Sequence, residues 1–312
     1  MNLSASLVAL LLTNRLVAVP ARPFTASQFW ELHALVPDLE SLAGASVHDL
    51  TADMGVTPDH AERIPVLLDA VLAFSFERER LEESGIRVLS FLDEGFPGRL
   101  RAVLGRHSPA SLLMAGNPEL LDACLRGIVG SRNAGPDSTE LAETAARAVV
   151  KRGEVVVSGL ARGIDQVAMG AALAEDAGVV GVPSEGLRKS ARAKGTRSMV
   201  HEGRLCMVSP YGPDSPFSVG NAMGRNKIVY GLSTSTLVVC SDKGKGGTWD
   251  GAKEALKGRF SQVDVWMGAG AGPGNEGIAQ LGARSVLATE ELWTVDFEPG
   301  TQSPGPQPGL FD

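Results

Sequence analysis

A chain of 312 residues with 44% hydrophobic and 21% charged residues has the length for about two domains and the make-up of an ordinary globular protein. Its 37 glycines, set against 5% aromatic residues, favour a loop-rich α/β architecture over a β-sandwich, and a formal charge of −7 argues against indiscriminate coating of nucleic acid. Cys124, Cys206 and Cys240 are widely spaced and form no C-x-x-C pair, which speaks against a disulfide framework or structural zinc site; no metal and no cofactor are expected.

The opening MNLSASLVALLLTNRLVAVPA is apolar enough to suggest a signal peptide, but it lacks a basic start and Asn14-Arg15 interrupts the run. It reads as the first helix of a domain. No apolar run reaches the roughly 18 residues of a membrane span, so the expected location is cytoplasmic. LVALLLTNRL, ASQFWELHALV, VHDLTADMG and HAERIPVLLDAVLAFSFERERLEES then read as short helices of a small helical domain over 1–82. Within it DMGVTPDHAERI suggests a helix–glycine turn–helix with the Thr57 hydroxyl as a cap. Such a turn can grip a DNA phosphate, but without a basic residue it reads better as a bundle corner.

From Ile86 the rhythm changes: IRVLSFL reads as a strand, FPGRLRAVL and ASLLMAG follow, and then GIVG, VVVSG, VVGV, RLCMVSPY, TLVVCSD and QVDVWMG read as strands. Helical segments alternate with them, and Thr139 to Arg152 places Leu141, Ala145, Ala148 and Val149 on one stripe. Near-continuous hydrophobic strands between helices predict a parallel, doubly wound sheet over 83–294. Residues 295–312, rich in Pro and Gly, read as a disordered tail.

Two strands empty into glycine loops carrying an arginine, GIVGSRNAG and VVVSGLARGID. In a doubly wound sheet ligands bind beyond the carboxyl ends of strands, where loops enter helices. Glycine permits close backbone approach, helix N-termini favour anions, and arginine offers a fork of donors to phosphate. Ser131, Arg132, Ser158, Gly159 and Gly163 are therefore candidates for an anion pocket. No G-x-G-x-x-G opens the first helix, and GKGGT lacks the full P-loop pattern, so dinucleotide binding and ATP hydrolysis are poorly supported.

GIVGSR, VVVSGLARGID, GRNKIVYGLS and a glycine loop before AKEAL, in that order, closely resemble the DprA/Smf family of bacterial DNA-processing proteins, from about Gly85 to Leu292. The resemblance implies an extended Rossmann-like domain after a small helical one, single-stranded DNA binding, homodimerisation, no catalytic activity and delivery of a RecA-type recombinase during DNA uptake. It assigns Gly130, Ser131 and Arg132 to a first pocket loop, and Ser158, Gly159, Arg162 and Gly163 to a second. Arg225 and Asn226 match its Arg-Asn pair, with Lys227 as the basic residue after it, and Gly246, Gly247 and Thr248 occupy its last glycine-serine loop. Asp165 is expected to cap the helix that begins there. Met169 stands where the family usually has histidine, and Met223-Gly224 replaces its Phe-Pro.

Charge points the same way. Between Gly186 and Lys227 stand Arg188, Lys189, Arg192, Lys194, Arg197, Arg204, Arg225 and Lys227 against only Glu202 and Asp214; eight minus two is a local +6. Such a band suits a groove that tracks a nucleic-acid backbone, with Arg188, Lys189, Arg192, Lys194 and Arg197 as its core. Tyr211, Phe217, Tyr230 and Trp249 are the candidate stacking residues, Tyr230 fitting a helix core better. In the tail, Gln307, Leu310 and Phe311 have the Q-x-x-L-F spacing that resembles sliding-clamp ligands. The alternatives are a nucleotide sensor and a nucleoside-monophosphate phosphoribohydrolase. The second is disfavoured because Gly251 falls where that signature's glutamate belongs, unless a residue such as Glu185 supplies the carboxylate.

Overall fold

Four helices lead into the sheet in this computed structural model, which describes residues 3–13 and 15–295. The tail peptide Gln307, Leu310 and Phe311 lies outside the described residues. Helix α1 (Ala5–Thr13) buries Val8 to Leu12 without a break, so it is a core helix. Helix α2 (Ala26–Leu35) opens on a capping box between Thr25 and Gln28. Helix α3 (Pro58–Leu68) corrects one expectation: Thr57 holds the N-cap position, yet its hydroxyl makes no capping bond. Pro58, whose ring presets the helical φ and removes an N–H that would go unpaired, starts the helix instead. Helix α4 (Val71–Glu83) leads into the first strand.

Among the described residues nine strands follow: β1 (Ile86–Ser90), β2 (Ser111–Gly116), β3 (Leu125–Val129), β4 (Val155–Ser158), β5 (Val179–Gly181), β6 (Leu205–Ser209), β7 (Ser235–Val238), β8 (Gln262–Trp266) and β9 (Arg284–Val286). Their order is β1-β2-β6-β5-β4-β3-β7-β8-β9. From β6 to β9 every pairing is parallel, whereas β2 runs antiparallel to both β1 and β6. The sheet is thus mixed, and the fully parallel expectation fails at one edge, where α/β sheets commonly add an antiparallel strand.

The connecting helices are α5 (Gly98–Leu104), α6 (Pro136–Lys151), α7 (Ile164–Ala174), α8 (Leu187–Arg192), α9 (Lys194–His201), α10 (Val219–Leu232), α11 (Gly247–Gly258) and α12 (Asn275–Gln280). One sheet face is covered by α6, α7, α8 and α9 with the N-terminal helices, the other by α5, α10, α11 and α12. Strands covered on both sides need no alternation, and β3, β4 and β6 are buried at every position. On α6 the buried stripe is Leu141, Ala142, Ala145, Ala146 and Val149; Ala148 is only half-buried. Small alanines there and on α7 let the two helices pack closely.

The N-terminal helices share their core with the sheet. Leu10, Phe29 and Phe74 belong to the same apolar cluster as Val88 and Leu113. Polar ties reinforce the junction: Trp30 Nε1 donates to the Ser108 carbonyl at 2.7 Å, and Ser6 Oγ to Asp93 Oδ1 at 2.7 Å. Among the described residues no helix is long and apolar enough to cross a membrane.

Candidate nucleic-acid interface

Strand order reverses between β3 and β7: β4, β5 and β6 extend from one, β8 and β9 from the other. The loops leaving β3 and β7 therefore part, and a crevice opens at their carboxyl ends. It holds an open cavity of about 360 Å³. Gly130, Ser131 and Arg132 contribute from the β3 loop, Asp165 from α7, and Phe217 with Val219 from the approach to α10. Arg225, Asn226 and Tyr230 line it from α10, and Lys245, Gly246, Gly247 and Thr248 from the start of α11.

Under the cavity lies a buried polar floor. Asp165 Oδ2 accepts from the Gly159 N–H at 3.1 Å and from Arg225 Nη1 at 3.3 Å. Its carboxylate thus holds the preceding loop and a neighbouring helix, which corrects its expected role as a helix cap; Gly163 occupies the N-cap position. Burial pushes the Asp165 carboxyl up, while Arg225 and the N–H groups of Ala161 and Gly159 pull it back down. Arg225 Nε and the Tyr230 hydroxyl are buried without a hydrogen-bond partner among the described residues. Burial also pushes the Tyr230 phenol up, and the Asp165 charge adds to it.

The glycines serve this floor more than a ligand. A Cβ on Gly159 would lie 1.2 Å from Arg225 Nη1, so the guanidinium can reach Asp165 only across a bare α-carbon. Gly163, with φ +83°, lets the second loop cross the first, its missing Cβ standing 2.4 Å from the Ser131 carbonyl oxygen. Ser158 is also structural: fully buried, it donates from Oγ to the Ile128 carbonyl at 2.6 Å, pinning the tips of β3 and β4 together.

Residues 87–295 match the DNA recombination-mediator protein A family. The chain belongs to that family. It is 27% identical over 220 residues to "DNA processing protein DprA" of Bacillus subtilis (strain 168), covering 68% of this chain and 71% of the relative. Identity reaches 30% over 220 residues with "Protein Smf" of Escherichia coli (strain K12), covering 68% of this chain and 57% of that longer protein. The fold matches DNA processing protein A from Streptococcus pneumoniae with a TM-score of 0.63 at 20% identity, over 86% of this chain and 96% of that one. DNA processing protein A from Helicobacter pylori, whose structure describes a single-stranded DNA binding mode, matches with a TM-score of 0.55 at 23% identity, over 66% and 92%.

The DNA recombination-mediator protein A family is one of recombination mediators rather than enzymes. Glu185, the carboxylate that hydrolysis would have to borrow, pairs with Lys189 at 2.8 Å and does not line the cavity. Glu254 is held by Lys227 at 2.9 Å. Asp165 is committed to Arg225.

The basic band folds differently from its expected groove. Arg188 is mostly buried between Glu77 and Asp214, at 2.5 and 3.1 Å, where it ties α4 to the sheet domain. Arg204 pairs with Glu202 and Asp176, and Lys189, Arg225 and Lys227 have the partners named above. Arg192 and Arg197 are exposed on α8 and α9 and carry no ion pair among the described residues, but neither they nor Lys189 lines the cavity, and the expected contribution of the Lys194 side chain lies outside the described residues. Arg162 is exposed beside the cavity without lining it.

Sequence reasoning missed Lys245. It is exposed, lines the cavity, and stands two residues after Lys243 in a loop whose signal was visible as K-G-K before the last glycines. Of the four aromatic candidates only Phe217 is at the rim, 51% exposed, with the Arg132 guanidinium 5.7 Å from its ring centre. Tyr211 instead donates to the Asn221 carbonyl at 2.6 Å, in space that Gly224 leaves open. Trp249 packs over Gly277 against α12, and Tyr230 forms part of the floor.

Proposed function

We propose that this protein binds single-stranded DNA across the crevice between β3 and β7 and acts as a recombination mediator that delivers a RecA-type recombinase. The observation carrying this reading is the meeting of Arg132 and Lys245, exposed cations from two different loops, at one cavity with Phe217 at its rim. Cations grip the phosphates and an exposed ring stacks a base, the combination that favours single strands. Gly246 and Gly247, with free N–H groups at the start of the 12-residue helix α11, add a further anion contact. The remaining motif residues act at one remove: Ser158, Gly159 and Gly163 shape the loops, and Asn226 donates to the Gly247 carbonyl at 2.9 Å to hold the last loop in place.

Arg162, Arg192 and Arg197 extend the path of a longer strand beyond the cavity. Homodimerisation and clamp binding through Gln307, Leu310 and Phe311 belong to the same reading, each supported by resemblance alone. Titration with single-stranded and duplex oligonucleotides at rising salt tests the central claim. Single strands should bind tighter, with affinity falling steeply as salt rises; equal affinity for duplex or a flat salt response removes it.

A further inference from the structure

The segment 210–218 joins β6 to α10 and brings Phe217 to the rim of the crevice. Pro210, Pro213 and Pro216 give it ring-locked φ angles and remove three N–H donors, so it is stiff yet depends on its neighbours for its position. The Pro213 carbonyl accepts from the Arg188 N–H at 3.0 Å, and the Ser215 carbonyl from the Gly186 N–H at 2.8 Å. These bonds lay residues 213–215 along the start of α8, so closely that a Cβ on Gly186 would collide with the Pro213 carbonyl. Next to Phe217, the Pro216 carbonyl accepts from Asn221 Nδ2 at 3.2 Å.

From there the Arg188 side chain reaches the helical lead-in. Its Nη2 donates to Glu77 Oε1 on α4 at 2.5 Å, while its Nε faces Asp214 Oδ1 at 3.1 Å. Glu77 is itself held by Arg80, one turn along, at 2.9 Å. The Arg188 and Glu77 side chains are 15% and 16% exposed, so salt screens their attraction less than that of a surface pair. One residue therefore grips the rim segment twice, through its N–H and through Asp214, and grips α4 once. A planar guanidinium can hold two carboxylates in fixed directions, which a point charge cannot.

Resting on the single-strand reading, in which a base stacks on Phe217, we infer that Arg188 is a positioning residue: through Glu77 it makes the helical lead-in hold the rim segment, and with it Phe217, where a base can stack. A ring already in place does not have to be ordered when the strand arrives. For one side chain that difference corresponds to about three- to tenfold in affinity. Cutting the tie leaves the ring on the chain but loosens it, while the phosphate contacts at Arg132 and Lys245 stay as they are. The helical lead-in thereby tunes binding at a crevice it does not line.

Arg188→Ala and Glu77→Ala test this in the full chain, each alone and combined with Phe217→Ala. Fluorescence anisotropy follows their binding to oligo(dT) and to an abasic strand of equal length at several salt concentrations. Each single variant should bind oligo(dT) about three- to tenfold more weakly, with the salt slope and the affinity for the abasic strand unchanged. In the Phe217→Ala background neither should add to the loss. Should Arg188→Ala fail to fold, Glu77→Ala, which leaves Arg188 beside Asp214, carries the same test. Unchanged oligo(dT) affinity, an equal loss on the abasic strand, or losses that add in full to that of Phe217→Ala each overturns the inference while leaving strand binding intact. So does a salt slope lowered by about 1 in Arg188→Ala, since Arg188 would then touch a phosphate itself. If Phe217→Ala alone has no effect on single-strand binding, the stacking contact and this inference fall together. Failure of the wild type to bind either strand removes the DNA reading itself.

Discussion

Arg225 on α10 and Asp165 on α7 form a buried ion pair, Nη1 to Oδ2 at 3.3 Å, with side chains only 6% exposed each. This pair ties together the two helices that lead into the crevice from opposite faces of the sheet. Removing either partner leaves the other charged, buried and uncompensated. Arg225→Ala and Asp165→Ala should each lose about 3–5 kcal/mol of stability, measured by urea unfolding. A loss under about 1 kcal/mol in both would mean that water reaches the floor and that the pair does not organise the site.

Gly159→Ala should act on the same pair without touching either charge. The new methyl would occupy the position of the guanidinium, and overpacking of this kind costs about 1–3 kcal/mol before any loss of the ion pair. Gly170→Ala, at an exposed position inside α7 with nothing within 4 Å, is the control and should be neutral or stabilising by up to about 1 kcal/mol. Equal melting temperatures for the two variants would contradict the packing seen around Arg225.

The exposed cations separate by place. Arg132→Ala and Lys245→Ala should weaken oligonucleotide binding and each lower the magnitude of the salt slope by about 1, with melting temperature unchanged. Arg192→Ala with Arg197→Ala should cost less, and chiefly with long strands, since neither residue lines the cavity. Phe217→Ala should lose about 1–3 kcal/mol of affinity if a base stacks on the ring. Fluorescence anisotropy at several salt concentrations distinguishes these outcomes, and a larger loss from the α8–α9 pair would relocate the interface.

At the other end of the sheet Glu154 accepts from Arg126 Nε and Nη2, both at 2.8 Å, and from Arg152 Nε at 3.0 Å. Burial pushes this carboxyl up, but the two guanidiniums outweigh burial and hold it below the usual glutamate range. A depressed folded-state value means stability that is present above the unfolded value of about 4.3 and is lost as pH falls through the folded one. The stability gap between wild type and Glu154→Gln should therefore be widest above about pH 5 and narrow steadily below about pH 4. Chemical unfolding across that range measures it, and a gap independent of pH would assign the loss to packing.

The alternation of hydrophobic strands and amphipathic helices was legible along the chain, and so were the two arginine-bearing loops. Periodicity and turn chemistry are local properties, and a doubly wound sheet places every strand-to-helix loop at one edge regardless of detail. The antiparallel β2 was not legible, because a strand buried on both faces has the same composition in either direction. Nor was the fate of the basic band: Arg188 and Arg204 are neutralised by Glu77, Asp214, Glu202 and Asp176, some of them distant in sequence.

What the amino-acid order determined by itself was the layered α/β plan, the helical lead-in and the family, since each rests on patterns repeated over short windows. Only the tertiary structure decided which charges stay unpaired among the described residues, that Gly159 exists for Arg225, and that Tyr230 ends at the floor of a cavity. Several of those facts depend on side chains brought together from distant positions, as Gly159, Asp165 and Arg225 are. Pairing and desolvation act through space, and no one-dimensional pattern records them.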